Sequence, residues 1–274
     1  MEIKIMEWNI NQRLGITQQD MPKWIADVIA EKKADIIALT EVYKGNNWES
    51  IKNNAFNSDY AVFETFNHSA RQNDVAIAIN TNKLDVVYEK AFFPSTEGIP
   101  DHLEVKIKTK EKNEEFIFIC IRIHALVTDE IKRQELQCVL DSTIDNDKVV
   151  ICGDFNNFRR GCPARKWCLS EIEKICKESQ FDMKTPDGSS IYEENKNNPA
   201  FQFPEDHFLL KGINDTDFTL LPYYRDFVIN DNTVYKWGKD FKKYVGKDKK
   251  GKSIYDSVPS PFPDHAILEG LIKI

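Results

Sequence analysis

The sequence contains no long apolar run and no recognised cysteine motif, and both absences narrow the class of protein. No apolar run approaches the roughly 20 residues that a membrane helix needs, and charged residues interrupt the N-terminal segment too often for a secretory signal. The six cysteines form no C-x-x-C pair and show no zinc-binding spacing. We therefore expect no membrane span, reduced thiols and a cytoplasmic location.

The sequence also lacks an excess of positive charge. Its 37 lysines and arginines are outnumbered by 44 aspartates and glutamates, which gives a formal net charge of −7. This balance disfavours a protein that coats nucleic acid through a broad positive field. A phosphate-binding function in this chain would need local basic patches or metal ions.

The chain does have enough apolar material for a large core. Apolar residues make up 41% of its 274 residues, which is far from a disordered composition. The length is near the upper size of one hydrophobic core, and no internal repeat or low-complexity linker divides the sequence. We therefore expect a single domain over residues 1–274 and a monomeric chain.

Short apolar segments of strand type alternate with a few helical patterns. Residues 35–39 are an apolar run that follows a helical pattern at residues 21–33, which is typical of a strand buried on both faces. Few helices among many strands indicate two sheets sandwiched between helices rather than a Rossmann alternation. Further strands are predicted at residues 3–9, 75–79, 116–123, 149–152, 208–210 and 266–272, and further helices at residues 129–142 and 163–179.

Two segments lack periodicity and are predicted to be long loops. Residues 182–204 are rich in Pro, Gly, Asn and Ser. Residues 236–252 contain eight lysines and two aspartates, a local charge of +6 in an acidic protein. Such a segment is more often a solvated surface than a binding surface, and both interpretations stay open here.

Four predicted strand ends carry oxygen ligands or a histidine. Loops at one edge of a sheet commonly build sites, so these side chains can converge. Oxygens of Asp, Glu and Asn suit Mg²⁺ or Mn²⁺, whereas the lack of a Cys/His cluster argues against zinc. The four segments are residues 8–11, 39–41, 153–156 and 263–265.

In six motifs that follow one another in family order, the sequence resembles the endonuclease/exonuclease/phosphatase superfamily of metal-dependent phosphodiesterases. Asn9 and Asn11 are similar to its W-N-x-[DN] strand, and Glu41 to the glutamate of its D-I-[IL]-x-L-[QT]-E motif. Residues 153–156 form the complete G-D-[FL]-N motif. The remaining matches are His124 at the position of a phosphate-contacting histidine, Asp206-His207-Phe208 in the D-[HYR]-[IF]-x-[VL] strand, and Asp264-His265 as the closing pair, with Pro263 in place of the usual serine.

The resemblance implies a fold and a cofactor. The fold is a four-layer α/β sandwich, in which two mixed β-sheets pack face to face with helices outside. The cofactor is Mg²⁺ or Mn²⁺, with Glu41 as the main ligand and Asn9, Asn11 and Asp264 as further metal-binding residues. An ion with few protein ligands keeps positions open for water and a phosphate oxygen.

The resemblance also implies roles in hydrolysis. Asp154 orients or deprotonates the attacking water, while Asn156 fixes it and contacts a phosphate oxygen. His265, oriented by Asp206, acts as a base or as a cationic phosphate clamp, and His124 binds the phosphate from the other side. Whether Asp154 or His265 takes the proton stays open.

Each of these assignments has an alternative. Asp154 and Asn156 could simply close an Asx-turn, Glu41 could cap the next segment, and either histidine could be a buried structural residue. Asp226 is a second candidate for the partner of His265. We prefer Asp206 because a Leu-Leu-Lys-Gly turn follows it, where family members commonly end that strand.

The first functional hypothesis is a Mg²⁺-dependent nuclease or phosphodiesterase that acts on a phosphate ester in DNA or RNA. Arg159 and Arg160 lie in the segment that follows the G-D-F-N motif and are predicted to bind the substrate. The alternative is a phosphatase of a small phosphorylated metabolite or lipid headgroup. A second alternative is a non-catalytic binding scaffold, which the intact ligand set disfavours.

Overall fold

Four helices and sixteen strands lie in the part of the chain that the structure, a computed structural model, describes. The described residues are 1–10, 23–42, 47–65, 74–92, 98–157, 167–191, 202–228, 234–236, 242–247, 249–251, 253–257, 263 and 265–274. The helices are α1 (Lys23–Lys32), α2 (Trp48–Ala55), α3 (Asp129–Ser142) and α4 (Leu169–Glu178). The strands are β1 (Glu2–Asn9), β2 (Ile36–Val42), β3 (Tyr60–Glu64), β4 (Asp74–Asn80), β5 (Leu84–Phe92), β6 (Asp101–Thr109), β7 (Glu115–Arg122), β8 (Val149–Asp154), β9 (Asp182–Lys184), β10 (Asp206–Lys211), β11 (Phe218–Leu220), β12 (Asp226–Val228), β13 (Val234–Lys236), β14 (Lys242–Lys247), β15 (Ser253–Ser257) and β16 (Leu268–Lys273).

The described strands form two mixed six-stranded sheets. The first has the order β11-β16-β1-β2-β4-β3, and the second has the order β5-β6-β7-β8-β10-β9. Each contains one parallel pair at its centre, β1 with β2 and β7 with β8, among antiparallel neighbours. Two further hairpins, β12–β13 and β14–β15, lie outside these sheets.

The sheets pack face to face, and helices cover their outer faces. One core cluster contains residues of both sheets, such as Ile5 of β1 and Phe118 of β7, so the inner faces share one interior. A second cluster joins the outer face of the second sheet to α3 and α4. On the outer face of the first sheet, the rings of Trp8 and Trp24 of α1 lie 6.2 Å apart. The four-layer sandwich predicted above is therefore confirmed.

Helix α3 spans the predicted residues, and its first turns extend to the edge where the site lies. The hydroxyl of Thr128 accepts a hydrogen bond from the backbone N–H of Ile131 at 3.3 Å, which caps the helix. The buried stripe of α3 begins with Lys132 and Glu135 and continues with apolar residues. Because charged groups occupy the first two positions of a buried stripe, they need polar partners inside the protein.

The two segments predicted to be loops contain short strands instead. Residues 182–184 form β9, which pairs with β10, and the lysine-rich segment contributes β14 to a hairpin with β15. A three-residue strand is too short to show a period of two, and lysine is depleted in strands. The helix predicted at residues 163–179 is α4, which begins at Leu169; residues 163–166 lie outside the described residues, and residues 167 and 168 precede the helix.

The strand directions bring six segments to one edge of the sandwich. The parallel pairs β1–β2 and β7–β8 end there, whereas β10 and β16 run antiparallel to their neighbours and start there. Asp206, the first residue of β10, lies directly opposite Asp154, the last residue of β8. In the described part of the chain, no helix is long and apolar enough to cross a membrane.

Candidate active site

The carboxylate of Asp154 at the end of β8 accepts three hydrogen bonds. Nδ2 of Asn9 donates to Oδ2 at 2.9 Å, and Nδ2 of Asn156 donates to the same oxygen at 2.8 Å. The backbone N–H of Asn156 donates to Oδ1 at 2.8 Å. The bond from Asn9 crosses from the first sheet to the second, so this carboxylate joins the two sheets at the edge.

Gly153 allows β8 to lie close to β7 immediately before Asp154. Its φ of 150° is one that side chains rarely adopt, and a Cβ atom there would lie 1.8 Å from the carbonyl oxygen of Ile121. Only glycine fits this position without moving a strand. The glycine of the G-D-F-N motif is therefore required by the packing of the two parallel strands.

The loop after β8 is fixed by its own side chains and by α3. Asn156 has a φ of 46°, and its Nδ2 also donates to the carbonyl of Ile123 at 2.8 Å. Nζ of Lys132 donates to the carbonyl of Asn156 at 2.7 Å. The bond from the Asn156 N–H to Asp154 is an Asx-turn. The Asx-turn interpretation of this motif is thus correct locally, and it does not compete with a functional one.

His265 and Asp206 form a buried pair. Nδ1 of His265 lies 2.8 Å from Oδ2 of Asp206, and the carbonyl of His265 accepts a hydrogen bond from Nε1 of Trp8 at 3.0 Å. The hydroxyl of Tyr223 donates to the carbonyl of Asp206 at 2.6 Å. These contacts fix both the ring and the carboxylate that orients it.

Strand β2 is irregular where it carries Glu41. The register with β4 shifts at this point, and Glu41 has a φ of 55°, which is uncommon for a residue with a side chain. A β-bulge of this kind re-aims side chains. Here the consecutive residues Thr40 and Glu41 both contact polar groups between the sheets: Thr40 donates to Glu7 at 3.4 Å, and Oε1 of Glu41 accepts from Nε and Nη2 of Arg122 at 3.0 and 2.7 Å.

Both ring nitrogens of His124 face carboxylates. Nδ1 lies 2.6 Å from Oε1 of Glu135, whose Oε2 accepts the backbone N–H of His124 at 3.0 Å. Nε2 lies 3.7 Å from Oδ2 of Asp101. The hydrogen bond to Glu135 is the largest reason why the pKa of His124 is raised. The ring therefore favours the charged form, which suits a phosphate contact.

Glu7 is a fully buried acid beneath these groups. Burial, followed by the negative charge of Asp206, raises the pKa of Glu7 well above its usual range. Oε2 of Glu7 and Oδ1 of Asp206 are both buried and have no hydrogen-bond partner among the described residues. A buried acid whose charged form is disfavoured thus lies close to the Asp206–His265 pair.

The environment of Asp154 suits a group that accepts a proton. Burial raises the pKa of its carboxyl to about 6, the positive charge of His265 opposes this shift, and the negative charge of Asp206 adds to it. A base works best when its pKa lies near the operating pH. Asp154 is 1% exposed, so the charges around it are weakly screened.

The donor set fits a hard divalent cation. The glutamate and the asparagine amide at the ends of β2 and β1 supply oxygen donors, which Mg²⁺ and Mn²⁺ prefer. Nδ2 of Asn9 is directed at Asp154, so the amide oxygen is the atom that Asn9 can offer a cation. Within the described ranges, no group of three or more His, Cys, Asp or Glu side chains could hold a metal.

The structure brings together seven of the residues that the sequence singles out. They are linked directly or through Arg122 and Asp101, and they are Asn9, Glu41, His124, Asp154, Asn156, Asp206 and His265. Of the two candidate partners of His265, Asp206 contacts it; Asp226 begins β12, which pairs with β13, and its side chain lies outside the described part of the structure. The predicted metal-binding residues Asn11 and Asp264 and the predicted substrate-binding residues Arg159 and Arg160 lie outside the described residues.

Sequence reasoning missed five polar residues of the site. Arg122 precedes His124 by two positions and therefore lies on the same face, a signal that was present in the alternation of β7. Asp101 lies on the same face of β6 as Leu103, Val105 and Ile107, so the alternation of these residues predicts that it faces the interior. The other three, Glu7, Lys132 and Glu135, are charged residues at positions where the period of a buried face calls for an apolar one.

Comparison with known proteins gives a family and a fold. A family model described as endonuclease/exonuclease/phosphatase family matches residues 6–234. No curated protein matches the chain in sequence. The structure of D. rerio TDP2 complexed with a single-strand DNA product is similar with a TM-score of 0.63 at 13% identity, over 100% of this chain and 99% of that chain.

Two further structures show the same likeness of fold. The mannosyl-6-phosphatase of Bacteroides thetaiotaomicron VPI-5482 gives a TM-score of 0.63 at 13% identity, over 99% of this chain and 100% of that chain. ANGEL2, described as a 2′,3′-cyclic phosphatase in complex with adenosine-2′,3′-vanadate, gives 0.61 at 13% identity, over 100% of this chain and 96% of that chain.

Proposed function

The chain belongs to the endonuclease/exonuclease/phosphatase family, and from this premise we propose that it is a divalent-metal-dependent hydrolase of phosphate esters, with nucleic acid as its first substrate class. Members of the family are phosphoric ester hydrolases. The single observation that carries the proposal is the network around Asp154. At one edge of the sandwich, the buried carboxylate of Asp154 accepts hydrogen bonds from Asn9 and Asn156. It also interacts electrostatically with His265 and Asp206.

In this proposal Asp154 holds and deprotonates the attacking water. Its three N–H donors fix the direction of the carboxylate, and its raised pKa makes it a better base than an exposed aspartate. Asn156, bonded to Asp154 and to the Ile123 carbonyl, is held close to the position of the water and contacts a phosphate oxygen. Positioning of this kind lowers the barrier by removing orientational freedom before the reaction.

The two histidines act on the phosphate. In this proposal Asp206 accepts the Nδ1–H of His265 and orients the ring, and Nε2 is the nitrogen that acts toward the substrate. His124, whose pKa is raised by the hydrogen bond to Glu135, contributes positive charge toward a non-bridging oxygen. Glu41 and Asn9 would hold Mg²⁺ or Mn²⁺, which supplies Lewis-acid polarisation of the phosphate and stabilises the leaving oxygen.

A polymeric substrate is supported by basic segments outside the core of the site. The lysine-rich hairpin β14–β15 lies in the chain between Asp206 and His265, both of which reach the site. Phosphates along a strand would provide partners for several of these cations. The net charge of −7 favours the second candidate, a phosphatase of a small phosphorylated metabolite or lipid headgroup, because such a substrate needs no extended basic surface.

The experiment is an assay of the purified protein with Mg²⁺ against single-stranded DNA, duplex DNA, RNA and a panel of phosphorylated sugars, nucleotides and lipid headgroups. Turnover of DNA or RNA supports the first candidate, and turnover of the small molecules alone supports the second. No turnover of any substrate contradicts the proposal and favours the scaffold hypothesis.

Metal dependence is tested on the best substrate from that panel. Activity is expected to vanish in EDTA and to return with Mg²⁺ or Mn²⁺. Glu41→Ala is expected to lose several kcal/mol of transition-state stabilisation, because the main ligand is gone. The matched control is Glu49→Ala, which removes an exposed glutamate of α2 that pairs only with Lys52 among the described residues. Full activity in chelator contradicts the metal assignment.

A further inference from the structure

Arg122 places a guanidinium in the middle of the site, and the mechanism above assigns it no role. It is the last residue of β7, directly opposite Asp154 in β8 and opposite Asp101 in β6. Its Nε and Nη2 donate to Oε1 of Glu41, and its Nη1 lies 3.9 Å from Oδ2 of Asp101. Three carboxylates on three strands therefore surround one positive charge.

The contact between Arg122 and Glu41 is one-sided. Both N–H groups go to Oε1 of the carboxylate, at 3.0 and 2.7 Å, and neither goes to Oε2. The usual fork of an arginine on a carboxylate uses both oxygens. The arrangement seen here holds one oxygen of Glu41 by two hydrogen bonds and leaves the other without a hydrogen bond to the guanidinium.

The pair is also poorly screened. The side chain of Arg122 is 13% exposed and that of Glu41 is 14% exposed. Charges in such a position act on each other and on a nearby ion much more strongly than they would at the surface. A divalent cation on Glu41 would therefore experience the repulsion of a fixed positive charge at close range.

We propose that Arg122 is a positioning residue that holds Glu41 by one oxygen and keeps the substrate-free site weak for its divalent cation. The inference rests on the proposed function only in taking Glu41 as the metal ligand. Its consequence is thermodynamic coupling. An anionic phosphate in the site offsets the positive charge of Arg122, so the cation binds more tightly together with substrate than without it.

The experiment measures Mn²⁺ binding to the substrate-free protein by electron paramagnetic resonance, with no turnover involved. In Arg122→Gln the positive charge is removed, and the Mn²⁺ Kd is expected to fall at least about tenfold, because Coulomb's law gives roughly that factor for a unit charge about 6 Å from a divalent ion even at the dielectric constant of water, and weaker screening increases it. Arg122→Met, which keeps most of the apolar stem, is expected to give the same shift. A purely structural role would weaken Mn²⁺ binding instead.

Two variants serve as controls. Arg133→Gln removes the same charge from α3, where Arg133 pairs with Glu130 and Glu171, and its Kd is expected to stay within twofold of the parent value. Arg122→Lys keeps the charge, and its Kd is expected to stay within about threefold. A Kd in both neutral variants that equals or exceeds that of the parent overturns the inference.

Failure of the proposed function gives a different result. If Glu41→Gln binds Mn²⁺ as the parent does, Glu41 is not the ligand, and both the metal assignment and the inference are wrong. If Glu41→Gln loses Mn²⁺ binding while the neutral variants of Arg122 show no tightening, the metal assignment stands and only the inference fails.

Discussion

At the scale of single residues, the carboxylates of the site differ in the groups that hold them. Asp154 is held by amide N–H groups, Asp206 by an imidazole and Glu41 by a guanidinium. Each partner favours a different use of the carboxylate. Amide donors leave it able to take a proton, an imidazole makes it an orienting group, and a guanidinium fixes its position.

The contact between Asp206 and His265 predicts that replacing one carboxylate oxygen of Asp206 by an amide nitrogen lowers kcat strongly. In Asp206→Asn the amide cannot hold the imidazole tautomer that a carboxylate selects, and kcat is expected to fall by roughly 10² to 10⁴. Asp226→Asn makes the same chemical change in β12 and is expected to leave kcat within twofold. Steady-state kinetics of both variants check this. A strong effect of Asp226→Asn with a neutral Asp206→Asn would show that the partner is misassigned.

His102 predicts a pH dependence of stability outside the site. The ring is 1% exposed and stacks on Phe92 with centroids 4.1 Å apart, and burial lowers the pKa of His102 from 6.5 to about 4. Between these values the unfolded chain binds a proton that the folded protein does not bind. Stability from this residue is therefore present above pH 6.5 and is lost as the pH falls toward 4.

The measurement is the free energy of unfolding of the parent and of His102→Gln at pH 7.5 and pH 5. The parent is expected to lose about 2 kcal/mol more than the variant over this interval, since one pKa unit corresponds to about 1.4 kcal/mol. Other titrating groups contribute to both proteins and cancel in the comparison. Equal losses in parent and variant would mean that His102 becomes protonated without cost in the folded state.

The sequence predicts which residues form the site where a motif fixes them. It does not predict which side chains those residues contact. The Asp154 and Asn156 positions follow from the G-D-F-N segment, and the structure shows why Gly153 precedes them. The pairing of Arg122 with Glu41 joins residues 81 positions apart on different sheets. No local period carries that information, because it depends on how the two sheets are superposed.

At the scale of the element, the close approach of β7 and β8 is what positions Asp154. Gly153→Ala would place Cβ 1.8 Å from the carbonyl oxygen of Ile121 and keep a φ of 150°. The free energy of unfolding is expected to fall by about 3 kcal/mol or more, from strain and steric overlap together. Chemical denaturation gives this value.

Gly251→Ala is the matched control for that prediction. Its φ of 77° imposes a conformational cost, but a Cβ there has no neighbour within 4 Å among the described residues. The loss is expected to stay near 1 kcal/mol, the cost of the backbone conformation alone. If both variants lose the same amount, the approach of β7 and β8 is looser than the structure has it.

Elements with strong periods were predictable, and those at edges were not. Helix α3 has a capping threonine and an apolar stripe, and it spans the predicted residues Asp129–Ser142. The edge strand β5 exposes most of its side chains, so it lacks the apolar alternation of a half-buried strand. The central strands β1, β2, β7 and β8 are predictable from the sequence because both of their faces are buried.

At the scale of the whole molecule, charge is distributed unevenly. The net charge is −7, while the hairpin segment carries a cluster of lysines close in sequence to the last strand of the site. Changing Lys242, Lys243, Lys249 and Lys250 together to Gln is expected to raise KM for nucleic acid and leave kcat nearly unchanged. Contacts shared by ground and transition states affect binding alone.

The salt dependence of KM measures those contacts. Binding to a polymer is expected to weaken with a log–log slope of about −0.7 per phosphate for single strands and about −0.9 for duplex, and the quadruple variant is expected to flatten that slope. The control changes Lys110, Lys112, Lys148 and Lys273 to Gln, which removes the same charge at the opposite ends of the strands. A salt-insensitive KM, unchanged in the first variant, would favour the small-molecule phosphatase.

The overall architecture was predictable because six motifs occur in family order, and each lies at a strand end. Strand pairing then brings them to one edge, as the register of Asp206 against Asp154 shows. The sequence does not predict the polar contacts in the interior between the two sheets. The buried Glu7, the bulge at Glu41 and the guanidinium of Arg122 depend on contacts across that interface.

The role of Asp154 as the proton acceptor at a hydrolytic site is tested by single-turnover kinetics of Asp154→Asn with Mg²⁺ on the best substrate of the panel. The control Asp141→Asn makes the same change on α3, where Asp141 accepts a hydrogen bond from Gln137. The rate is expected to fall by roughly 10³-fold or more in Asp154→Asn and to stay at the parent value in Asp141→Asn. A folded Asp154→Asn protein that keeps the parent rate would show that Asp154 does not accept the proton.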